Sequence, residues 1–127
     1  MEKNNGIEQT RVVVDSPETM NLLGLLMRGL LAANMRDEGV YAKARGIKGD
    51  VLVGAGGMQV TLRFGDGRVT IIRGDAGASR ARVGGGMKAL LEVVTEGKMV
   101  GPFLAGRIKI GGNPFVLLSM LPLIRAR

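Results

Sequence analysis

The sequence predicts an α+β domain: a five-stranded, mostly antiparallel sheet with helices packed mainly on one face. Three observations lead there. Residues 51–73 carry the two-residue period of strands, with a turn at each reversal. Residues 16–36 open on a helix-start signature and continue with leucines at helical spacing. Residues 113–124 open on Asn-Pro and are then apolar on nearly every side.

The strands are read as follows. Val51-Leu52-Val53 is a short strand, turned by Ala55-Gly56-Gly57. Met58 to Phe64 alternates cleanly, placing Met58, Val60, Leu62 and Phe64 on one side. Asp66-Gly67 is a favoured pair for a tight hairpin, and Arg68 to Arg73 is the return strand. Ala78 to Val83 alternates small apolar residues with arginine, as a fourth strand with one wet face would. Arg107-Ile108-Lys109-Ile110 is the fifth. Val12 to Val14 is a candidate short edge strand at the end of a polar leader, residues 1–15; residues 16–127 are expected to form a single domain.

Ser16-Pro17-Glu18 offers a cap, a first-position proline and an acidic first turn, so a helix is expected from there to about Arg36. Leu22, Leu23, Leu26, Met27, Leu30 and Leu31 share its broad apolar face, with Asn21, Arg28 and Arg36 opposite. Asn34 falls on the apolar side and needs a hydrogen-bond partner there. Gly24 and Gly29 each cost such a helix about 1 kcal/mol relative to alanine, which suits close packing or a loosened, movable segment. Residues 37–49 read as a mixed-charge connection, ending near Gly39 what Ser16 began. A second helix runs from Met87 to Glu96, with Leu90, Leu91, Val93 and Val94 on its apolar side, and Gly97 stops it.

The last helix has Ser119 as its only polar side chain before Arg125, and Pro122 must bend or end it. A helix that is apolar all round must be covered, and a chain of 127 residues has little left to cover it. One wall of an apolar cavity, closed by a lipid-like ligand, meets that requirement. Burial in the core or in a dimer interface meets it as well.

Composition excludes several chemistries. There is no cysteine and no histidine, which removes thiol nucleophiles, thiolate and imidazole metal sites and the Ser-His-Asp arrangement. The carboxylates Asp37-Glu38, Asp50 and Asp66 sit where a helix end, a strand start and a turn use them, so no catalytic pair stands out and no enzyme is expected. Val83-Gly84-Gly85-Gly86-Met87-Lys88 has the outline of a phosphate cradle but fits neither nucleotide fingerprint. No cofactor or metal is expected.

Charge is uneven. Residues 1–67 hold eight basic and eight acidic side chains, whereas residues 68–127 hold ten basic and three acidic ones, the whole of the net +7. An anionic partner is implied. Nucleic acid is disfavoured, since one Tyr, three Phe and no Trp supply few stacking platforms. An anionic membrane met through Arg80, Arg82, Arg107 and Lys109 is the better match. No apolar run reaches the roughly 18 residues of a membrane span, and the default address is the cytoplasm.

Met87-Lys88-Ala89-Leu90-Leu91, then Glu96-Gly97-Lys98-Met99, then Phe103 through Asn113 resemble the closing motif of the sterol-carrier-protein (type-two sterol-binding) domain. In that family a helix ends in Gly-Lys, a short helix with paired bulky residues ends in Gly, and a basic–apolar strand leads through Gly-Asn to an apolar last helix. The upstream order agrees, and the match covers roughly residues 17–124. Two features depart from the pattern: a short link between Lys98 and Gly106, and the Gly84-Gly85-Gly86 start of the Gly-Lys helix.

The resemblance implies an apolar tunnel between sheet and helices that holds a sterol, fatty acyl or isoprenoid-type lipid. By position, the tunnel walls would include Leu90, Val94, Phe103, Leu104, Phe115, Leu118 and Leu121, and Leu26, Leu30, Met99 and Met120 complete the expected ligand-binding set. A homodimerisation or protein-interaction module built on the last helix is the second reading.

Overall fold

The structure, a computed structural model, describes residues 11–96, 106 and 108–124. The strands are β1 (Val12–Val14), β2 (Gly49–Ala55), β3 (Met58–Gly65), β4 (Arg68–Arg73), β5 (Ser79–Gly85) and β6 (Ile108–Gly112). The helices are α1 (Leu22–Asn34), α2 (Glu38–Ala44), α3 (Met87–Glu96) and α4 (Pro114–Ile124).

The sheet has six strands, in the order β1-β4-β3-β2-β5-β6, rather than the expected five. It is also mixed rather than mostly antiparallel. β2-β3-β4 is the expected antiparallel meander, and β6 pairs antiparallel with β5. However, β5 runs parallel to β2, and β1 runs parallel to β4 with Val12 opposite Val69 and Val14 opposite Ile71. The valines that end the polar leader are therefore an integral edge strand.

Alternation sorts the sheet into two faces. Val60, Leu62 and Phe64 of β3, Val69 and Ile71 of β4, Val51 and Val53 of β2, and Ala81 and Val83 of β5 are buried beneath the helices. Leu23, Met27 and Leu31 of α1 and Leu117, Met120 and Leu123 of α4 are at most 1% exposed and complete the same core. The short link Gly74–Ala78 crosses the opposite face. Thr61 holds it there, its hydroxyl donating to the Gly74 carbonyl at 2.8 Å and accepting from the Ala76 amide at 3.0 Å.

Helix starts differ from expectation in one instructive way. Ser16 has a left-handed backbone and no side-chain cap, so Pro17–Thr19 makes only a 3-10 turn. The cap that works is Asn21: its side chain accepts from the Gly24 amide at 2.9 Å and donates to the Gln59 carbonyl at 3.1 Å, fixing the start of α1 to β3. Asp37 repeats the device, accepting from the amides of Gly39 and Val40, and starts α2 inside what the sequence presented as a connection. Gly84 and Gly85 lie in β5, so the outlined phosphate cradle is strand rather than loop.

Candidate functional site

The tunnel expected between sheet and helices is not shown among the described residues, where the inward side of α4 packs down with Leu117, Met120, Leu123 and Ile124 buried in the common core. The expected tunnel residues divide three ways. Leu90 and Met120 are buried, and Leu30 and Leu121 are half-buried against the same cluster, with Leu26 half-buried on α1. Phe115 and Leu118 lie on the outside of α4, 74% and 58% exposed, and so are not brought together with Met120. Val94 belongs to α3, but its side chain lies outside the described residues, as do Met99, Phe103, Leu104 and the basic Arg107.

A cleft of about 690 Å³ lies elsewhere, between the edge strand β1 and the outward side of α1. Its floor is Val12, Val13 and Val14 with Pro17; its far wall is Leu25, Gly29, Ala32 and Ala33, with Arg28 and Arg36 along the rim. That volume falls within the range of small-molecule sites, about 300–1,000 Å³.

The local sequence explains the shape. The β1 end is tied down by Arg11, whose guanidinium donates to the Met35 carbonyl at 2.6 Å, pairs with Glu38 at 3.2 Å and lies 3.7 Å from the centre of the Tyr41 ring. The α1 wall is low because its residues are small. A side chain on Gly24 would run into Met20 Sδ, so close packing accounts for that glycine, whereas a Cβ on Gly29 would meet nothing within 4 Å.

A second, shallower groove of about 280 Å³ lies on the sheet face away from the helices. Gly54, Gly84 and Gly111 floor it with bare backbone, and Arg82 and Lys109 stand at its edges. A side chain on Gly111 would come 2.6 Å from Arg82 Nε, so the glycine lets the arginine lie flat. Arg80 is on the same face and donates to the Lys48 carbonyl at 2.6 Å. The buried carboxylate on this face, Asp50, is taken by Arg63 through two hydrogen bonds of 2.9 and 3.0 Å, which hold the Arg63 guanidinium above its ordinary pKa. Arg82 and Lys109 are left as exposed positive charge.

Of the cleft residues, Val12 to Val14 carried the signal of an edge strand, Pro17 that of a helix start, and Arg28, Gly29 and Arg36 that of the first helix. Nothing in the sequence placed β1 beside them.

This architecture is the α+β fold of sterol-carrier-protein type-two domains. The UbiJ-SCP2 ubiquinone synthesis protein superposes with a TM-score of 0.65 at 15% identity, over 82% of this chain and 96% of that one. The sterol carrier protein domain 2 of Helicoverpa armigera superposes with a TM-score of 0.59 at 19% identity, over 90% of this chain and 97% of that one. The same fold matches 14% of the sec-alkylsulfatase Pisa1 from Pseudomonas sp., with a TM-score of 0.60 at 15% identity over 68% of this chain. No family model and no curated protein sequence matches the chain. At such identities the likeness establishes the fold, and function has to be argued from the site. Among the described residues no helix is long and apolar enough to cross a membrane.

Proposed function

We propose that the protein binds a lipid-like ligand, a sterol, fatty acyl or isoprenoid-type molecule, and carries or presents it without a catalytic step of its own. The observation that carries this reading is the sterol-carrier type of fold itself, in which a cleft of about 690 Å³ offers Leu25, Ala32 and Ala33 beside the edge strand β1. Structural neighbours with this fold include a ubiquinone synthesis protein and a sterol carrier protein domain, which favours a long apolar ligand over a nucleotide or peptide. Each CH₂ removed from water contributes about 0.8 kcal/mol, so an acyl or prenyl chain needs few polar contacts to be held. Arg80, Arg82 and Lys109 supply a positive sheet face on which an anionic bilayer or an anionic lipid head would dock, in keeping with the basic second half of the chain.

The test is chemical. Protein purified without detergent is extracted with chloroform and the extract is identified. The reading requires close to one lipid per chain; an extract empty of lipid, from protein that also takes up none when offered it, contradicts it.

A second reading has its own observation. Phe115 and Leu118, 74% and 58% exposed on α4, are the kind of pair a partner helix covers, so a homodimer or interaction module built on α4 is the alternative.

A further inference from the structure

We propose that the open edge of β1 docks an extended, acidic segment of a partner protein, which joins the sheet as a seventh strand beside Val12–Val14 and sets its carboxylates against Arg28 and Arg36 on the rim of the cleft. This goes beyond the lipid-binding reading, which rests on the fold, and does not depend on it.

The backbone comes first. β1 is the end strand of the sheet, and among the described residues nothing pairs with its outer edge. The Asp15 amide donates to the Ile71 carbonyl at 2.9 Å, so the alternate residue Val13 also turns its N–H and C=O toward β4. Val12 and Val14 turn theirs the other way, into the cleft. The β1 side of the cleft is thus backbone as well as valine. An acyl chain would leave these groups without partners, whereas an extended backbone pairs with them. The edge is also held ready. Arg11 clamps one end to the Met35 carbonyl, Glu38 and Tyr41, and the Asp15 amide ties the other, so β1 is extended before a partner arrives.

Charge and spacing select the segment. Arg28 and Arg36 line the cleft and no acidic residue joins them there. Arg28 is exposed and makes no hydrogen bond or ion pair among the described residues, which leaves its guanidinium open to a carboxylate. The two arginines stand about 12 Å apart at helical rise. Carboxylates four residues apart on a strand share one face and stand about 13 Å apart. Between the arginines Gly29 and Ala32 keep the wall low. A Cβ on Gly29 would meet nothing within 4 Å, so the glycine leaves room for the side chain that falls midway between the two acids. The pattern recognised is acid-x-apolar-x-acid. A second copy of the chain offers valines without acids at this edge, and would bring Arg28 and Arg36 against their own equivalents.

The experiment titrates the isotope-labelled full chain with a terminally blocked peptide, Ser-Glu-Thr-Val-Thr-Glu-Ser, and with its basic counterpart, Ser-Lys-Thr-Val-Thr-Lys-Ser. The acidic peptide should bind about tenfold more tightly or better, about 1.4 kcal/mol, and Arg28→Glu should reverse the order. Bound peptide should slow hydrogen exchange at the Val12 and Val14 amides and leave Val13, already paired with β4, unchanged. N-methylation tests the backbone pairing: methyl groups on one alternate set of the peptide's amides should abolish binding, and on the other set should spare it. Binding without new protection at Val12 and Val14, equal loss from both methylated sets, or no effect of Arg28→Glu overturns the proposal. Failure of the acidic peptide to bind overturns it as well. So does a free chain whose Val12 and Val14 amides are already protected, because the edge is then covered by the chain itself or by a second copy. Lipid content is read separately by mass spectrometry on the same protein, so a failure here leaves the lipid-binding reading standing.

Discussion

The side-chain amide of Asn34 donates to the carbonyl of Leu123 at 2.7 Å and to that of Leu30 at 2.9 Å, joining the end of α1 to the end of α4. Asn34 is 1% exposed, so this is a polar link through the core. It meets α4 next to Pro122, where the helix has already lost a backbone donor. Asn34→Ala would leave the Leu123 carbonyl buried without that donor. The expected loss is about 1–3 kcal/mol, read as a lower urea midpoint at unchanged slope.

The two glycines of α1 should respond in opposite directions. Gly29→Ala gains helix propensity with no neighbour to displace, and should stabilise by about 0.5–1 kcal/mol. At Gly24 the new methyl meets Met20, which packs on the core and must swing away, so Gly24→Ala should lower the thermal midpoint. A pair of melting curves decides it.

The faces of α4 should separate just as sharply. Met120→Ala opens a hole at a fully buried position and should cost about 2–5 kcal/mol. The double substitution Phe115→Ser, Leu118→Ser touches only exposed positions and should leave stability within about 0.5 kcal/mol. Chemical denaturation of the two variants side by side checks this. A large loss from the serine pair would mean that α4 is covered in solution, as the dimer reading requires.

The basic sheet face makes a prediction about membranes. Binding to vesicles containing phosphatidylglycerol should fall steeply with added salt, and Arg82→Glu with Lys109→Glu should abolish it. Co-sedimentation at low and high salt measures it. Equal binding to neutral vesicles in high salt would rule the electrostatic contact out.

Much of this architecture was legible in the residues. Met58 to Phe64 alternates because one face of β3 is buried, and Asp66-Gly67 closes the hairpin because Asp66 and Gly67 both adopt positive φ there. Other features were hidden for physical reasons. Ser16-Pro17-Glu18 has the composition of a cap, but Asn21 had a tertiary partner in Gln59 and took the role. Gly39 looked like a helix stop, yet Asp37 caps a new helix through that glycine's own amide. Val12 to Val14 could be read as a candidate edge strand, but the parallel pairing of Val12 with Val69 joins distant segments and leaves no local signal, so neither the strand's partner nor the cleft beside it could be foreseen. In α4, apolar residues on all sides give no sign of which face is buried, which is how Phe115 and Met120 came to be grouped when the structure sets them on opposite sides.

The central claim, that the protein carries a lipid-like guest, is tested most directly by its native mass spectrum, recorded gently from fresh protein. The account predicts a monomer whose mass exceeds that of the chain by one lipid, the excess vanishing on collisional activation. A bare monomer or a bare dimer, unchanged after incubation with a long-chain carboxylate, would contradict it.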